Sequence, residues 1–246
     1  MIYKNKYILL VVALIIFLIL CGCWWYKRNK KYEWINKNIW GDTDLNPKNI
    51  TFVQIGSNCG TTECAVCGEP IWEDCKKNMW NGIVVEPIPH IYEKLVKNYK
   101  YNPNVTAINC ALSNKNGYEI LFSDGSEASS LLESHANNHN ITKNNKNYKE
   151  YNVKTYDLNT FWNIYVKFNN VDILNLDCEG YDDKIILSTN FNKLNPKPKY
   201  ILYEAKHIID KQSVLNHLNK YNYIFFKDIE GCGSKDFDTL VKYKNI

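Results

Sequence analysis

Arginine is almost missing from this chain. Arg28 is the only one in 246 residues. Guanidinium forks are the usual means of gripping phosphates in a bidentate way and of reading guanine edges. A nucleic-acid partner is therefore not expected, although Asn, Lys, Ile and Tyr abound everywhere and part of the shortage is compositional bias. Acid is missing from the first 31 residues, where Lys4, Lys6, Lys27, Arg28, Lys30 and Lys31 all lie. From residue 32 onward 24 basic residues face 26 acidic ones, so the net charge of +4 belongs to the N-terminal segment. Two nucleotide signatures are absent as well. No G-x-G-x-x-G occurs, and no glycine loop carries the Lys and Ser/Thr of a P-loop. A single C-x-x-C, Cys64 to Cys67, has no second pair, whereas a structural zinc site usually shows two.

What is present begins with an uncharged run. Residues 7–26, "YILLVVALIIFLILCGCWWY", are long enough as a helix to span a bilayer core. Trp24, Trp25 and Tyr26 stand where an aromatic belt would. A cleaved signal peptide and a lipoprotein are alternatives. The length of the run and the lack of an A-x-A-like site favour a retained single-pass anchor. Four basic residues follow the run and two precede it, which places the C-terminal domain in the cytoplasm by the positive-inside rule. Sequons at Asn49, Asn104 and Asn140 do not decide the compartment. With 34 asparagines in the chain, chance supplies roughly three such matches. The organisation expected is a short tail (1–6), an anchor (7–26), a polar linker (27–45) and one domain (46–246).

That domain alternates between two periods. "ITFVQIG", "GIVVEP", "NVTAINCAL", "VDILNLD" and "KYILYEA" read as short buried strands. "PHIYEKLVKNY" reads as a helix, with Pro89 in its first turn and Ile91, Leu95, Val96 and Tyr99 on its apolar side. "KQSVLNHLNKY" reads as another, and a third runs from about Tyr181 to Ser188. "GYEILFS" is expected in a local hairpin, and "NYIFFKDI" with "FDTLVKY" as an antiparallel edge hairpin. The polar stretch 137–152 is expected to be an exposed loop without chemistry. This alternation predicts an α/β domain with a mostly parallel sheet.

In such sheets ligands bind at the carboxyl ends of the strands. "GSNCG", residues 56–60, follows the first strand, and Glu86 ends the next. A glycine loop followed by an acid placed for ribose hydroxyls, without phosphate machinery, suits a nucleoside bearing no phosphate, of which S-adenosylmethionine is the common one. "VQIGSNCG", "GIVVEPIPHIYEKLVKNY", "NCALSNKNG", "ASSLL", "VKTYDLNTFW" and "VDILNLDCEGYDDKIIL" occur in the order seen in FkbM-type methyltransferases, and the chain resembles that family over roughly residues 49–243. The resemblance implies a Rossmann-like class I methyltransferase fold, S-adenosylmethionine as cofactor, and methylation of a hydroxyl on a sugar or other small-molecule or glycan acceptor. It implies that Gly56, Ser57, Asn58 and Gly60 wrap the methionine and ribose, that Glu86 holds the ribose, and that Asn109, Cys110 and Ala111 face the adenine. Many relatives carry Asp or another small polar residue where this chain has Cys59.

Asp177 and Glu179 would stand beside the transferring methyl, as general base or as a carboxylate pair for a divalent metal such as Mg²⁺. Asp182 and Asp183 suit the first turn of a helix. Glu204 and His207 are candidates for the acceptor pocket, while His90, His135 and His139 suggest no role. Cys59, Cys64, Cys67 and Cys75 allow a zinc site, a disulfide among the last three, or free thiols, and free thiols are expected. Two other functions remain open: a Rossmann oxidoreductase, disfavoured by the missing third glycine, and an inactive interaction module carrying the cysteine cluster.

Overall fold

The computed structural model describes Phe17 and residues 41–61, 71–126, 128–230 and 237–244. The expected anchor, residues 7–26, lies outside the described residues apart from Phe17. Among the described residues no helix is long and apolar enough to cross a membrane. One compact unit comprises Asp44–Ile246.

Among the described residues ten strands and six α-helices build this unit. In chain order they are β1 (Thr51–Ile55), α1 (Trp72–Asn78), β2 (Asn81–Val85), α2 (Pro89–Tyr99), β3 (Val105–Ile108), β4 (Ala111–Leu112), β5 (Gly117–Ser123), α3 (Glu133–Asn138), β6 (Lys149–Tyr156), α4 (Leu158–Tyr165), β7 (Val171–Leu176), α5 (Asp182–Ser188), β8 (Pro198–Glu204), α6 (Lys211–Asn219), β9 (Tyr223–Glu230) and β10 (Phe237–Tyr243). Seven strands form the main sheet in the order β3-β2-β1-β7-β8-β10-β9. The first five pair in parallel, and β10 runs antiparallel between β8 and β9. A second sheet has the order β4-β6-β5. This is the mostly parallel α/β sheet expected from the alternation of strand and helix signals, in the Rossmann-like form that the family resemblance implies.

The central strands β1 and β7 are buried along their whole length, which is why they read as unbroken apolar runs. Helix α2 buries Ile91, Leu95 and Tyr99 on one stripe, with Pro89 at its start. Val96 lies off that stripe and is exposed, a departure from its expected place. Two further departures concern strands. "NVTAINCAL" is divided at Asn109, so that β3 stays in the main sheet and β4 enters the small one. The stretch 137–152 is not all loop, since Lys149 begins β6 and pairs with the end of β5. Its alternating residues are half polar because only Val153 and Thr155 turn fully inward.

One buried carboxylate ties the entry of the sheet. Asp172, 3% exposed, accepts from the Thr51 backbone N–H at 2.8 Å and from Lys199 Nζ at 2.7 Å, joining β1, β7 and β8. Removing it strands a buried donor in the sheet interior. Asp172→Ala is therefore expected to cost roughly 2–4 kcal/mol, read as a lowered melting temperature. Asp172→Asn, which keeps an acceptor, should lose less.

Candidate functional site

The strand order reverses between β1 and β7, and a cleft opens there at the C-terminal ends, where open α/β sheets bind ligands. It encloses about 870 Å³, part of it open to solvent. Ile55, Gly56 and Asn58 form one side, Glu86 to Ile88 the next, and Asp177, Cys178 and Glu179 the opposite rim. The small sheet makes a wall with Ala111, Leu112 and Leu121, backed by an apolar cluster that includes Cys59, Ile91 and Val153.

The glycine loop begins with a steric requirement. Gly56 has φ +77°, and a Cβ there would stand 1.7 Å from the Asp177 carbonyl oxygen. Its N–H bonds Val85 O, so β1, β2 and β7 converge at this residue. Ser57 does not line the cleft. It is fully buried, its Oγ donates to Gln54 O, and it accepts from the Val85 N–H at 3.0 Å. Gly60 faces away as well, packed where a Cβ would strike Leu95 and Tyr99 of α2. Asn109 donates its amide to the Glu86 and Pro87 carbonyls, fixing the turn rather than the cleft wall. Of the expected cofactor contacts, Gly56, Asn58, Glu86, Cys110 and Ala111 reach the cleft, while Ser57, Gly60 and Asn109 hold its frame.

Glu86 is 5% exposed. The Ile88 N–H meets its Oε1 at 2.8 Å. Burial nonetheless pushes its carboxyl up to about 7, against hydrogen bonds from the Ile88 and Asn58 backbone that lower it. Ionised Glu86 thus needs more donors than the protein supplies, and a pair of ribose hydroxyls is the natural source. Among the described residues lining the cleft none is cationic, which suits no phosphate. The acids suit a sulfonium and an ammonium group, so the residues present fit S-adenosylmethionine.

Beyond Glu86 the cleft leads to a concentration of acids. Asp177 is open to the cleft yet walled by protein. Desolvation first, then the charges of Glu204, Glu179, Asp182 and Asp238, raise its carboxyl well above the usual range. Glu204 is pushed up to about 9 by burial and then by Glu179 and Asp182. Burial, and then His135, draws His207 down to about 4. His207 Nε2 and Glu204 Oε1 are 3.4 Å apart. With those shifts the contact at neutral pH joins a neutral imidazole to a neutral acid. Asp182 is fully buried, its Oδ2 accepting from the Cys178 N–H at 3.1 Å, so it straps the β7–α5 turn instead of serving as a solvated helix-start acid.

Three features were not anticipated. His135 on α3 and His139 just after it stack with ring centroids 4.5 Å apart, and His207 meets His135 edge-on at 4.4 Å. The four-residue spacing of His135 and His139 is the one local signal, and nothing local joins His207 to them. Ser126, Ser129, Leu131 and Tyr181 also line the cleft. Cys59 is disulfide-bonded to a partner outside the described residues, against the expectation of free thiols, whereas Cys75, Cys110 and Cys178 are free. Cys64 and Cys67 lie outside the described residues, so the zinc alternative that includes them has no structural account here.

Fold and cleft together define a class, the S-adenosylmethionine-dependent methyltransferases of the Rossmann-like type. Within it, the chain matches the family described as "Methyltransferase FkbM domain" over residues 54–225 and belongs to that family. No curated protein matches at a significant level. Solved structures similar in outline include fibrillarin of Aeropyrum pernix with natively bound S-adenosyl-L-methionine (10% identity, 84% of this chain and 73% of that one, TM-score 0.48). Others are precorrin-6y C5,15-methyltransferase of Geobacter metallireducens (10%, 87% and 87%, 0.46) and the N-terminal domain of human METTL16 (9%, 88% and 69%, 0.49).

The raised carboxyl of Glu86 carries a pH signature. Its folded pKa of about 7 exceeds the ordinary glutamate value of 4.5. The native state therefore holds the proton more tightly than the unfolded chain does. Below pH 4.5 both states are protonated and the group is neutral in effect. As pH rises from 4.5 through 7 the native state loses up to about 3 kcal/mol. Glu86→Gln should thus raise the melting temperature of the ligand-free protein at pH 8 and leave it nearly unchanged at pH 4.

Proposed function

We propose that this chain transfers the methyl group of S-adenosylmethionine to a hydroxyl oxygen of a sugar or other small hydroxyl-bearing acceptor. The observation that carries this reading is the pairing of one buried acid placed for ribose, Glu86, with two carboxylates, Asp177 and Glu179, in one cleft that has no cationic lining among the described residues. Bound there, the cofactor supplies an electrophilic methyl group. The chain's own part is placement and proton handling. Gly56 and Asn58 present backbone close to the ligand, and Glu86 takes two hydroxyl protons in hydrogen bonds. Ile88, Leu121 and Leu131 exclude water from the apolar end. Orientation and proximity supply most of the acceleration in a displacement that needs no oxyanion hole. The acceptor proton has a destination at the Asp177 or Glu179 carboxylate, both at the end of β7.

Calorimetry with S-adenosylmethionine, S-adenosylhomocysteine and NAD tests the cofactor assignment. The first two should bind and NAD should not. Glu86→Ala should weaken both by about 3 kcal/mol, the worth of two charge-assisted hydrogen bonds. Unchanged affinity would remove the ribose assignment. On a panel of sugar acceptors, Asp177→Asn should lower S-adenosylhomocysteine formation by roughly 10²–10⁴ with cofactor affinity nearly kept.

A membrane-anchored arrangement is part of the same proposal. The basic residues after residue 26 favour a cytoplasmic domain, while the disulfide at Cys59 favours an oxidising compartment. Asn49, Asn104 and Asn140 are all exposed, so the sequons can report. Expression in eukaryotic cells should leave them bare if the domain is cytoplasmic. A glycosidase-sensitive mobility shift would place it on the other side.

A further inference from the structure

We propose that Glu179, Glu204 and His207 bind a divalent first-row transition-metal ion at the C-terminal ends of β7 and β8, beside the cofactor cleft. One ligand atom from each lies within 4.8 Å of the other two. Atoms held about 2.1 Å from one ion stand about 3–4 Å apart, so small side-chain rotations close the set. The donors mix imidazole nitrogen with carboxylate oxygen, which suits Zn²⁺, Fe²⁺, Co²⁺ or Mn²⁺ better than Mg²⁺.

Independent observations point to an ion here. His135 is 6% exposed, and its Nε2 is buried with no hydrogen-bond partner among the described residues. It stands 3.3 Å from Glu179 Oε2 without the alignment of a hydrogen bond. Glu204 Oε2 is also buried without a partner. Unpaired buried polar atoms are costly, and a cation held between the two glutamates would give the Glu204 oxygen a partner while His135 faces the Glu179 carboxylate. The backbone is shaped to the same end. Glu179 sits at φ +49° and Gly180 at φ +81°. The Glu179 carbonyl is pinned by Ser130 Oγ–H at 2.8 Å. A Cβ on Gly180 would approach His135 Nδ1 to 2.9 Å. A left-handed glutamate is a strained conformation, and its carboxylate lies 3.3 Å from His135 Nε2. Asp177, Glu179, Asp182, Glu204 and Asp238 crowd one region in which Lys206 opposes Glu204 and Asp238.

The three imidazoles of His135, His139 and His207 form a rival ligand set. His139 is exposed and the three-imidazole set brings no carboxylate to the cation, so the two-glutamate, one-histidine set is favoured, with His135 Nε2 facing the Glu179 carboxylate from outside it. Glu179 also lines the cleft, so an open coordination position would face it. An acceptor hydroxyl bound there would be acidified. This last role rests on the methyl-transfer reading; the ion site does not.

The test uses the full-length protein, stripped with chelator and titrated with Co²⁺. One equivalent should bind, with visible ligand-field bands of nitrogen and oxygen ligation. Glu204→Gln and His207→Ala should each weaken binding at least tenfold, while His90→Ala should not, and melting curves check that each variant is folded. No binding, or a thiolate charge-transfer band placing the ion on cysteine, would overturn the proposal, and the wild-type spectrum decides this even if a variant does not fold. Loss of binding in His139→Ala with Glu204→Gln unaffected would overturn the ligand set in favour of three imidazoles. Calorimetry of metal-free wild type with S-adenosylhomocysteine runs in parallel. Cofactor binding without metal binding sinks only the ion site, and metal binding without cofactor binding sinks only the methyltransferase reading.

Discussion

The site depends on one close approach, that of the Gly56 backbone to the carbonyl of Asp177. No side chain can stand between them, since a Cβ would sit 1.7 Å from that oxygen. The Asp177 N–H in turn bonds Ile55 O at 3.1 Å, so β1 and β7 remain zipped up to the residue where they part. The cleft opens directly beyond. Ser57 then bridges β1 to β2 through its hydroxyl, and Gly60 lets α2 pack close. The loop is thus two things at once, a ligand cradle at Gly56 and Asn58 and a structural splice at Ser57 and Gly60.

The second organising feature is electrostatic. The cleft has an apolar wall at the small sheet and acids after the end of β7, with Glu204 of β8 and Asp238 of β10 near Asp177 but outside the lining. Burial raises the carboxyls of Glu86, Glu204, Asp182 and Asp238 to about 7, 9, 8 and 6. Burial of this kind holds the acids back from ionising, and a cation arriving beside them would favour their charged form. Displaced acid titration of this kind concentrates where chemistry is done.

The small sheet β4-β6-β5 completes the enclosure. Leu121 and Ala111 reach the cleft from it, and Val153 backs them. The chain enters this sheet by leaving the main one at Asn109, whose amide secures the Glu86–Pro87 turn. A single side chain therefore couples the Glu86 turn to the small sheet that walls the cleft.

Much of this was legible from local pattern. Buried parallel strands are short apolar runs, helix α2 shows its stripe through Ile91, Leu95 and Tyr99, and Gly56 and Glu86 end strands where a ligand site must lie. These signals live within a few residues of chain, and local sterics determine them. What the sequence could not assign was direction and assembly. Whether Ser57 and Asn109 face a ligand or a neighbouring strand depends on hydrogen bonds to residues about 22–28 positions away. The gathering of His135, Glu179, Glu204 and His207 joins three separate connections, after β5, β7 and β8. No spacing rule links them, because only the register of β7 on β8 and the seat of α3 bring them within reach. Local chemistry named the strands and the glycine hinge; the sheet's geometry decided which side chains share the cleft.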